Sequence, residues 1–299
     1  MGQTSYDLIV IGEGVSGLAC AGHARRAGLS VATFESSLFG GLVINVNELD
    51  GYPGAESGTL LASELMQANA DAGVASIQQE VTALRATGGA FEVATGGVYR
   101  ARQVVIASGA RLKKLGVPGE DEYEGRGVSR CADCDAPMFQ DEEVIVVGGG
   151  DSALQEALVL AKFCRKVHIV HRGTRFRARN HFADRIGAEP RISVHWNTTV
   201  EAILGSKMVE RVRLRRDGKS EEVAAAGVFA YVGLEPNSAP APSGIERDGS
   251  GHLVTNGASE TSVPGVWAIG AVRAGYSGLL RDAVAEAQRV AEAVRDRLD

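Results

Sequence analysis

Residues 6–17 read YDLIVIGEGVSG. A short apolar run rich in β-branched residues ends at Ile11, and glycines follow at 12, 14 and 17. The run has the length and composition of a buried strand. A helical pattern then continues to Arg26, with Gly28 as its stop signal. Residues 29–35, LSVATFE, read as a second strand. Strand, glycine turn, helix and strand in that order build a parallel sheet.

The same order recurs. Residues 143–147, EVIVV, form a strand, Gly148-Gly149-Gly150-Asp151-Ser152-Ala153 a turn, LQEALVLAKF a helix and KVHIVHR the next strand. The two copies lie too far apart to be a solenoid repeat. The reading is therefore α/β, with two Rossmann-like nucleotide-binding domains. Each copy is followed by alternating segments broken by glycine. GGAFEVATGGVYRARQVVIASG reads as a β-meander ending in a buried strand at 104–107, and VERVRLRRDGKSEEVAAAGVFAYVG ends in a matching strand at 228–232. Pro236, Pro240 and Pro242 mark a linker, GVWAIGAVRAG a strand entering a turn, and residues 279–298 a closing amphipathic helix.

The chemistry of each turn follows from its residues. Gly12 permits the tight turn, Gly14 lets the backbone approach a pyrophosphate, and Gly17 lets helix and strand pack closely. The helix N-terminus presents free N–H groups to phosphate. Glu35 closes the second strand, where a carboxylate accepts ribose hydroxyls. In the second copy, Gly148, Gly150 and Ala153 take the glycine positions, and no carboxylate closes the strand. His171, Arg172, Arg175 and Arg177 stand there instead. Cations at that position suit a 2′-phosphate, so NADPH is favoured over NADH. The bland alternative is a solvated basic loop.

Between the copies lies Cys131-Ala132-Asp133-Cys134, followed by Asp135. A zinc site needs about four ligands. The remaining cysteines, Cys20 and Cys164, sit in helical patterns that suit packing as small apolar groups, and His181 and His195 are remote in sequence. The pair therefore reads as a redox centre in which the second thiol resolves a mixed disulfide made by the first. Asp135 suits either proton transfer to a thiolate or a helix N-cap. Two nucleotide turns and a cysteine pair imply an electron route from nicotinamide through a flavin to sulfur, with FAD on the first turn and NADPH on the second.

With 299 residues, the chain is long enough for two domains. Its 44% hydrophobic and 23% charged residues are ordinary for a globular chain. A formal net charge of −6 argues against nucleic acid. No apolar run approaches the ~20 residues of a membrane helix. The N-terminus lacks a signal-peptide pattern, and Tyr6 breaks the myristoylation pattern. Four cysteines are too few for a disulfide framework, and a cytoplasmic location is the default.

The motifs GEGVSG, GGLVINVNELDGYPG, VVIASGA, GRGVSRCADCD, VIVVGGGDSALQEAL, VHIVHRGTRFRA, GVFAYVGLEPN and GVWAIGAV together span most of the chain. They resemble the low-molecular-weight thioredoxin reductases, flavoproteins of the pyridine nucleotide–disulfide oxidoreductase superfamily. The CxxCD placed just before the second glycine turn is the most specific feature. The resemblance implies an FAD-binding domain in two parts, 1–115 and 239–299, with an NADPH-binding domain, 116–238, inserted between them. It implies a homodimer, and a domain rotation that presents the flavin alternately to nicotinamide and to disulfide. It makes Cys134 the flavin-facing sulfur, Cys131 the attacker of the substrate disulfide, and Asp135 the acid/base.

For FAD the resemblance implies Gly12, Gly14, Val15, Ser16, Gly17, Glu35, Gly40, Gly41, Leu42, Asn45, Val81, Ala107, Gly109, Gly270 and Ala271. For NADPH it implies Gly148, Gly150, Asp151, Ser152, Ala153, His171, Arg172 and Arg177. Several positions depart from the family. Ala271 replaces an aspartate that holds the flavin's ribityl chain, Leu42 a polar residue and Gly51 an asparagine. Glu13-Gly14-Val15-Ser16 replaces a small residue and Gly-Pro-Ala, and Gly173 replaces an arginine. Each loss removes a contact worth about 1–3 kcal/mol, so weaker FAD binding is expected. The expected partner is a thioredoxin-like protein. Two alternative functions are a flavin dithiol oxidase that closes a disulfide in a small molecule with oxygen as acceptor, and a ferredoxin-linked disulfide reductase.

Overall fold

The computed structural model describes residues 4–49, 52 and 54–299. Strand β1 (Ser5–Ile11), helix α1 (Val15–Arg26) and β2 (Val31–Phe34) open the chain. Helix α2 (Gly58–Ala72), β3 (Ala75–Ile77), β4 (Ala83–Thr87), β5 (Ala90–Ala94), β6 (Val98–Ile106) and β7 (Ala110–Leu112) follow. The middle of the chain holds β8 (Val128–Ser129), α3 (Ala132–Asp135), β9 (Glu143–Gly148), α4 (Asp151–Leu160), β10 (Lys166–Val170), α5 (Asn180–Ala188) and β11 (Ile192–His195). Strands β12 (Thr198–Gly205), β13 (Val209–Arg216), β14 (Lys219–Ala224) and β15 (Gly227–Tyr231) complete it. The chain ends with β16 (Leu234–Pro236), β17 (Val266–Ala268) and α6 (Leu280–Leu298).

The chain forms two compact units, one from Met1–Arg111 with Glu235–Asp299 and one from Leu112–Leu234. The sheet of the first unit runs β3-β2-β1-β6-β5-β4, with β17 also on β6. Its parallel part comprises β3, β2, β1, β6 and β17, and β4 and β5 add antiparallel pairing. Strand β6 serves both halves: residues 98–101 pair with β5 and residues 104–106 with β17. Strand β1 is buried on both faces, which explains why its apolar run does not alternate. Leu8 and Val10 pack with α1 and α6, while Ile9 and Ile11 pack with Phe34, Phe91 and Ile245. Helix α6 buries Ala283, Glu286, Ala287, Val290, Ala291 and Val294, one helical stripe.

The second unit repeats the plan with the parallel order β11-β10-β9-β15-β8. Val144 and Val146 of β9 face α4 and α5, and Ile145 and Val147 face the antiparallel meander β12-β13-β14. The expected strand at 228–232 begins one residue earlier, at Gly227, and ends at Tyr231. The strand expected at 104–107 is the end of the longer β6, because its first half finds a partner in β5. Cys20 lies in α1 and Cys164 in the turn beyond α4; both are buried and free. Burial pushes the Cys20 thiol up to about 12 and the Cys164 thiol up to about 11, so neither is a ready nucleophile.

Candidate functional site

Gly12 adopts φ +107°, and a Cβ there would stand 2.7 Å from the Ala107 carbonyl carbon. A Cβ on Gly17 would collide with the Gly12 carbonyl oxygen. Gly14, by contrast, has only the Gly40 carbonyl oxygen near it, at 3.9 Å. Two glycines thus bring backbones together and the third leaves room. Gly14 is the N-cap of α1 and offers no side-chain cap, so the first N–H groups of α1 have no partner from it. A diphosphate fits that arrangement.

The Glu35 carboxylate accepts the Glu13 N–H at 3.0 Å through one oxygen and the Ser36 and Ser37 N–H groups at 2.9 and 3.0 Å through the other. It is fixed beside the turn by backbone N–H groups, and among the described residues no ion pair to it is seen. Gly40 joins the same turn through its N–H to the Glu13 carbonyl at 2.6 Å, and Gly41 follows with φ +62°. Val15 is buried in the small cluster with Val43, Leu61 and Ala62. Ser16 Oγ lies against Gly270. The structure therefore brings Gly12, Gly14, Ser16, Gly17, Glu35, Gly40, Gly41, Ala107 and Gly270 around one turn.

The other expected FAD residues are less close-set. Asn45 ends the 3-10 turn Gly41–Asn45, in which Leu42 is exposed. Val81 is buried among Ile11 and Phe34. Gly109 takes φ +64°, and its carbonyl accepts the Asn237 N–H at 3.0 Å. Ala271 lies in the turn Gly270–Val272 and offers no polar atom from its side chain. Gly51 lies outside the described residues.

Two buried carboxylates here have roles that sequence reasoning missed, although Glu13 entered it as a departure from the family pattern. Glu13, 1% exposed, accepts the Thr33 hydroxyl at 2.5 Å and the Ser76 hydroxyl at 2.7 Å, tying β2 to β3 beneath the turn. Glu286 of α6, 2% exposed, accepts the Gly270 N–H at 2.9 Å, the Ser259 hydroxyl at 3.1 Å and the Arg273 guanidinium at 2.5 Å. For Glu286 the sequence signal was an acidic residue on the apolar stripe of a helix.

The second glycine turn has the same logic. A Cβ on Gly148 would stand 2.8 Å from the Ala153 Cβ, whereas Gly150 is open and caps α4 with no side-chain bond. Asp151 pairs with Arg179, accepting its backbone N–H at 2.8 Å and its guanidinium at 2.6 Å; Ser152 is exposed. The His171 ring covers Gly149 and bonds the Arg175 carbonyl at 3.0 Å, so it shapes the loop. The Arg177 N–H donates to the Gly149 carbonyl at 2.7 Å, and the Arg172 and Arg177 side chains are exposed. Thr174, Arg175, Arg177, Asn180 and Trp196 line a pocket beside this turn. Trp196, whose ring centroid lies 4.5 Å from that of Phe176 in a tilted contact, carried no sequence signal because it arrives from a later turn.

Cys131 and Cys134 form a disulfide. Cys131 is the N-cap of α3, and its Sγ accepts the Cys134 N–H at 3.1 Å. Cys134 is exposed and Cys131 half-buried. Asp135 does not cap a helix with its side chain; Oδ2 accepts the Ser129 hydroxyl at 2.6 Å instead. Ser129 Oγ in turn accepts the Cys131 N–H at 3.1 Å. Ser129, from the two-residue strand β8, therefore links the acid to the cysteine segment, a role that sequence reasoning missed.

The family model for pyridine nucleotide-disulphide oxidoreductases matches residues 6–289. The chain belongs to that family. The thioredoxin reductase of Treponema pallidum is 39% identical over 278 residues, covering 91% of this chain and 90% of the relative. The crystal structure of Lactococcus lactis thioredoxin reductase, in its FR conformation, superposes with a TM-score of 0.94 at 32% identity, covering 97% of this chain and 98% of that one. The crystal structure of T. acidophilum thioredoxin reductase superposes with a TM-score of 0.93 at 30% identity, over 99% of this chain and 100% of that one. The protein is a flavin-dependent thiol–disulfide oxidoreductase that uses FAD and NADPH.

Proposed function

We propose that this chain reduces the disulfide of a thioredoxin-type protein, with Cys131, Cys134 and Asp135 as its reacting groups. The observation that carries the reading is the accessible Cys131–Cys134 disulfide with Asp135 held beside it by Ser129. FAD, when bound, relays an electron pair from NADPH to sulfur. The first unit supplies the open N-terminus of α1 for its diphosphate and Glu35 for a ribose. The second supplies the open N-terminus of α4, with Arg172, Arg175 and Arg177 for a 2′-phosphate.

Cys131 is the nucleophile toward the partner disulfide, because its sulfur receives the Cys134 N–H, which stabilises a thiolate. Cys134 resolves the mixed disulfide. Asp135 moves the proton to the departing partner thiolate, and the Ser129 hydroxyl orients the carboxylate for that transfer. The parts 1–115 and 239–299 bind FAD and 116–238 binds NADPH. The protein works as a homodimer in the cytoplasm; among the described residues no helix is long and apolar enough to cross a membrane.

The test is anaerobic. NADPH added to the FAD-loaded protein bleaches the flavin, and thiols then appear on added oxidised thioredoxin. In Cys134→Ser the flavin still bleaches and thioredoxin stays oxidised. Unchanged thioredoxin turnover in Cys134→Ser refutes the assignment.

A further inference from the structure

Beneath the cysteine segment, α4 carries a carboxyl that none of the steps above uses. Glu156 is 8% exposed, and among the described residues its Oε2 is the buried side-chain oxygen without a hydrogen-bond partner. It faces the two residues between the cysteines. The Ala132 N–H donates to the Tyr231 hydroxyl at 3.1 Å, and that hydroxyl is itself bonded to Glu156. The Asp133 and Ala132 backbone N–H groups also act on the carboxyl. A path of hydrogen bonds therefore joins the loop that carries both sulfurs to one buried acid.

The groups facing Glu156 are few. From α3 comes the Asp133 carboxylate, and from β15 the Tyr231 hydroxyl. Strands β9 and β10 present Val144, Val146, Val167 and Ile169 to α4, and α5 presents Phe182 and Ile186. On its own helix, Asp151 is paired with Arg179, and Gln155 is the neighbour. No cation among the described residues balances a charge on Glu156. Burial, then the Asp133 charge, push its carboxyl up to about 7. Tyr231 is held neutral first by burial and then by Glu156, so it remains a donor.

We propose that Glu156 is the proton reserve of the Cys131–Cys134 couple: it gains a proton when the disulfide is reduced and releases it when the disulfide reforms. The reason is linkage. Reduction creates a thiolate at the N-terminus of α3, and a second negative charge nearby favours the protonated carboxyl. With dithiothreitol as reductant, the reagent's two thiols close to its own disulfide, two electrons break the cysteine S–S bond, and two protons are released. One proton goes to the Cys134 sulfur and the other to Glu156. The Cys131 sulfur stays a thiolate, and total charge is conserved. Glu156 touches neither sulfur; it is a positioning residue that acts through α3 and Tyr231.

This inference rests on the redox role of the cysteine pair but needs no flavin, NADPH or thioredoxin, so the two readings fail separately. The full chain is reduced with dithiothreitol, freed of reagent, and alkylated with iodoacetamide between about pH 5.5 and 9. In the parent the rate–pH profile has two inflections, one from the thiol and one from Glu156. In Glu156→Gln one inflection remains, and above about pH 8 the variant reacts about tenfold faster because no carboxylate opposes the thiolate. Glu156→Asp restores the second inflection. Should Glu156→Gln not fold, infrared difference spectra of the parent decide: reduction near neutral pH adds a protonated-carboxyl band. Superimposable profiles within about twofold, or no carboxyl band on reduction, overturn the proposal.

Discussion

Gly17 and Gly187 are both helical glycines, yet alanine should have opposite effects at the two. Alanine in a helix gains about 0.5–1 kcal/mol over glycine from backbone entropy alone. At Gly187, in α5, a Cβ meets nothing within 4 Å, so the whole gain should appear. At Gly17 the new methyl falls inside contact of the Gly12 carbonyl oxygen, 3.1 Å from its carbon and 3.2 Å from the Ala107 Cβ. These neighbours are backbone and a short side chain, so α1 itself must move away from β1. Overpacking of that kind costs about 1–3 kcal/mol, which exceeds the propensity gain. The net effect is a loss of about 1–2 kcal/mol, and the diphosphate cradle at the N-terminus of α1 widens with it. The two tryptophans separate the units, since Trp267 lies in the first and Trp196 in the second. Urea unfolding of apoprotein in a Trp196→Phe background reports the first unit, and in a Trp267→Phe background the second. Gly17→Ala should lower the first midpoint and weaken FAD binding; Gly187→Ala should raise the second. A Gly17→Ala midpoint at or above its parent would show that helix and strand do not pack as closely as argued.

Removing the Ser129 hydroxyl in Ser129→Ala takes from Asp135 a charge-assisted bond worth about 1.5–3 kcal/mol and leaves the Cys131 N–H without that acceptor; thioredoxin turnover should fall about tenfold and the thermal midpoint by a few degrees, and unchanged turnover would contradict the orienting role. Glu286→Ala strands Arg273 and the Gly270 N–H and should cost about 3 kcal/mol in the first unit, read by Trp267 in the same urea assay; a cost below about 1 kcal/mol would mean that water already serves those donors. Glu156 ionises at a higher pH in the folded chain than in the unfolded one, because of burial and then Asp133. Between about pH 4.3, its unfolded value, and about 7 the native protein holds a proton that the unfolded chain has lost, so stability falls as pH rises through that window. Glu156→Gln should lack that slope, and a thermal-midpoint difference from the parent that is flat with pH would contradict the assignment.

Much of the fold was legible because it is written in local patterns. A strand buried on both faces needs an uninterrupted apolar run, and a strand-to-helix turn at a diphosphate needs glycine, so YDLIVIGEGVSG and EVIVVGGGDSA state their own geometry. The cysteine pair is legible for the same reason, as both sulfurs lie within one turn. What the sequence hid is mostly long-range. Glu156 and Tyr231 reach the cysteine segment from α4 and β15, and nothing in their own neighbourhoods marks them; Ser129 lies only two residues before Cys131, and what stayed hidden there was the turn of its hydroxyl toward Asp135. The choice between the two readings of Asp135 was equally invisible, since it depended on whether a hydroxyl stood near the carboxylate.

Glu286 bears on the losses that the sequence shows at the flavin turn. An alanine at 271 removes a carboxylate from the flavin turn, and sequence reasoning predicts weaker binding. The turn, however, depends first on its backbone shape: Gly270 takes φ +70° with Ser16 Oγ packed against it. The buried Glu286 carboxylate holds that shape by bonding the Gly270 N–H while Arg273 balances its charge. Binding energy lost at Ala271 is thus confined to the direct contact of one side chain, about 1–3 kcal/mol, and does not extend to a collapse of the turn. Position 271 and position 286 therefore separate two quantities that a single substitution in the turn would mix: affinity for the cofactor, which follows the first, and stability of the empty fold, which follows the second.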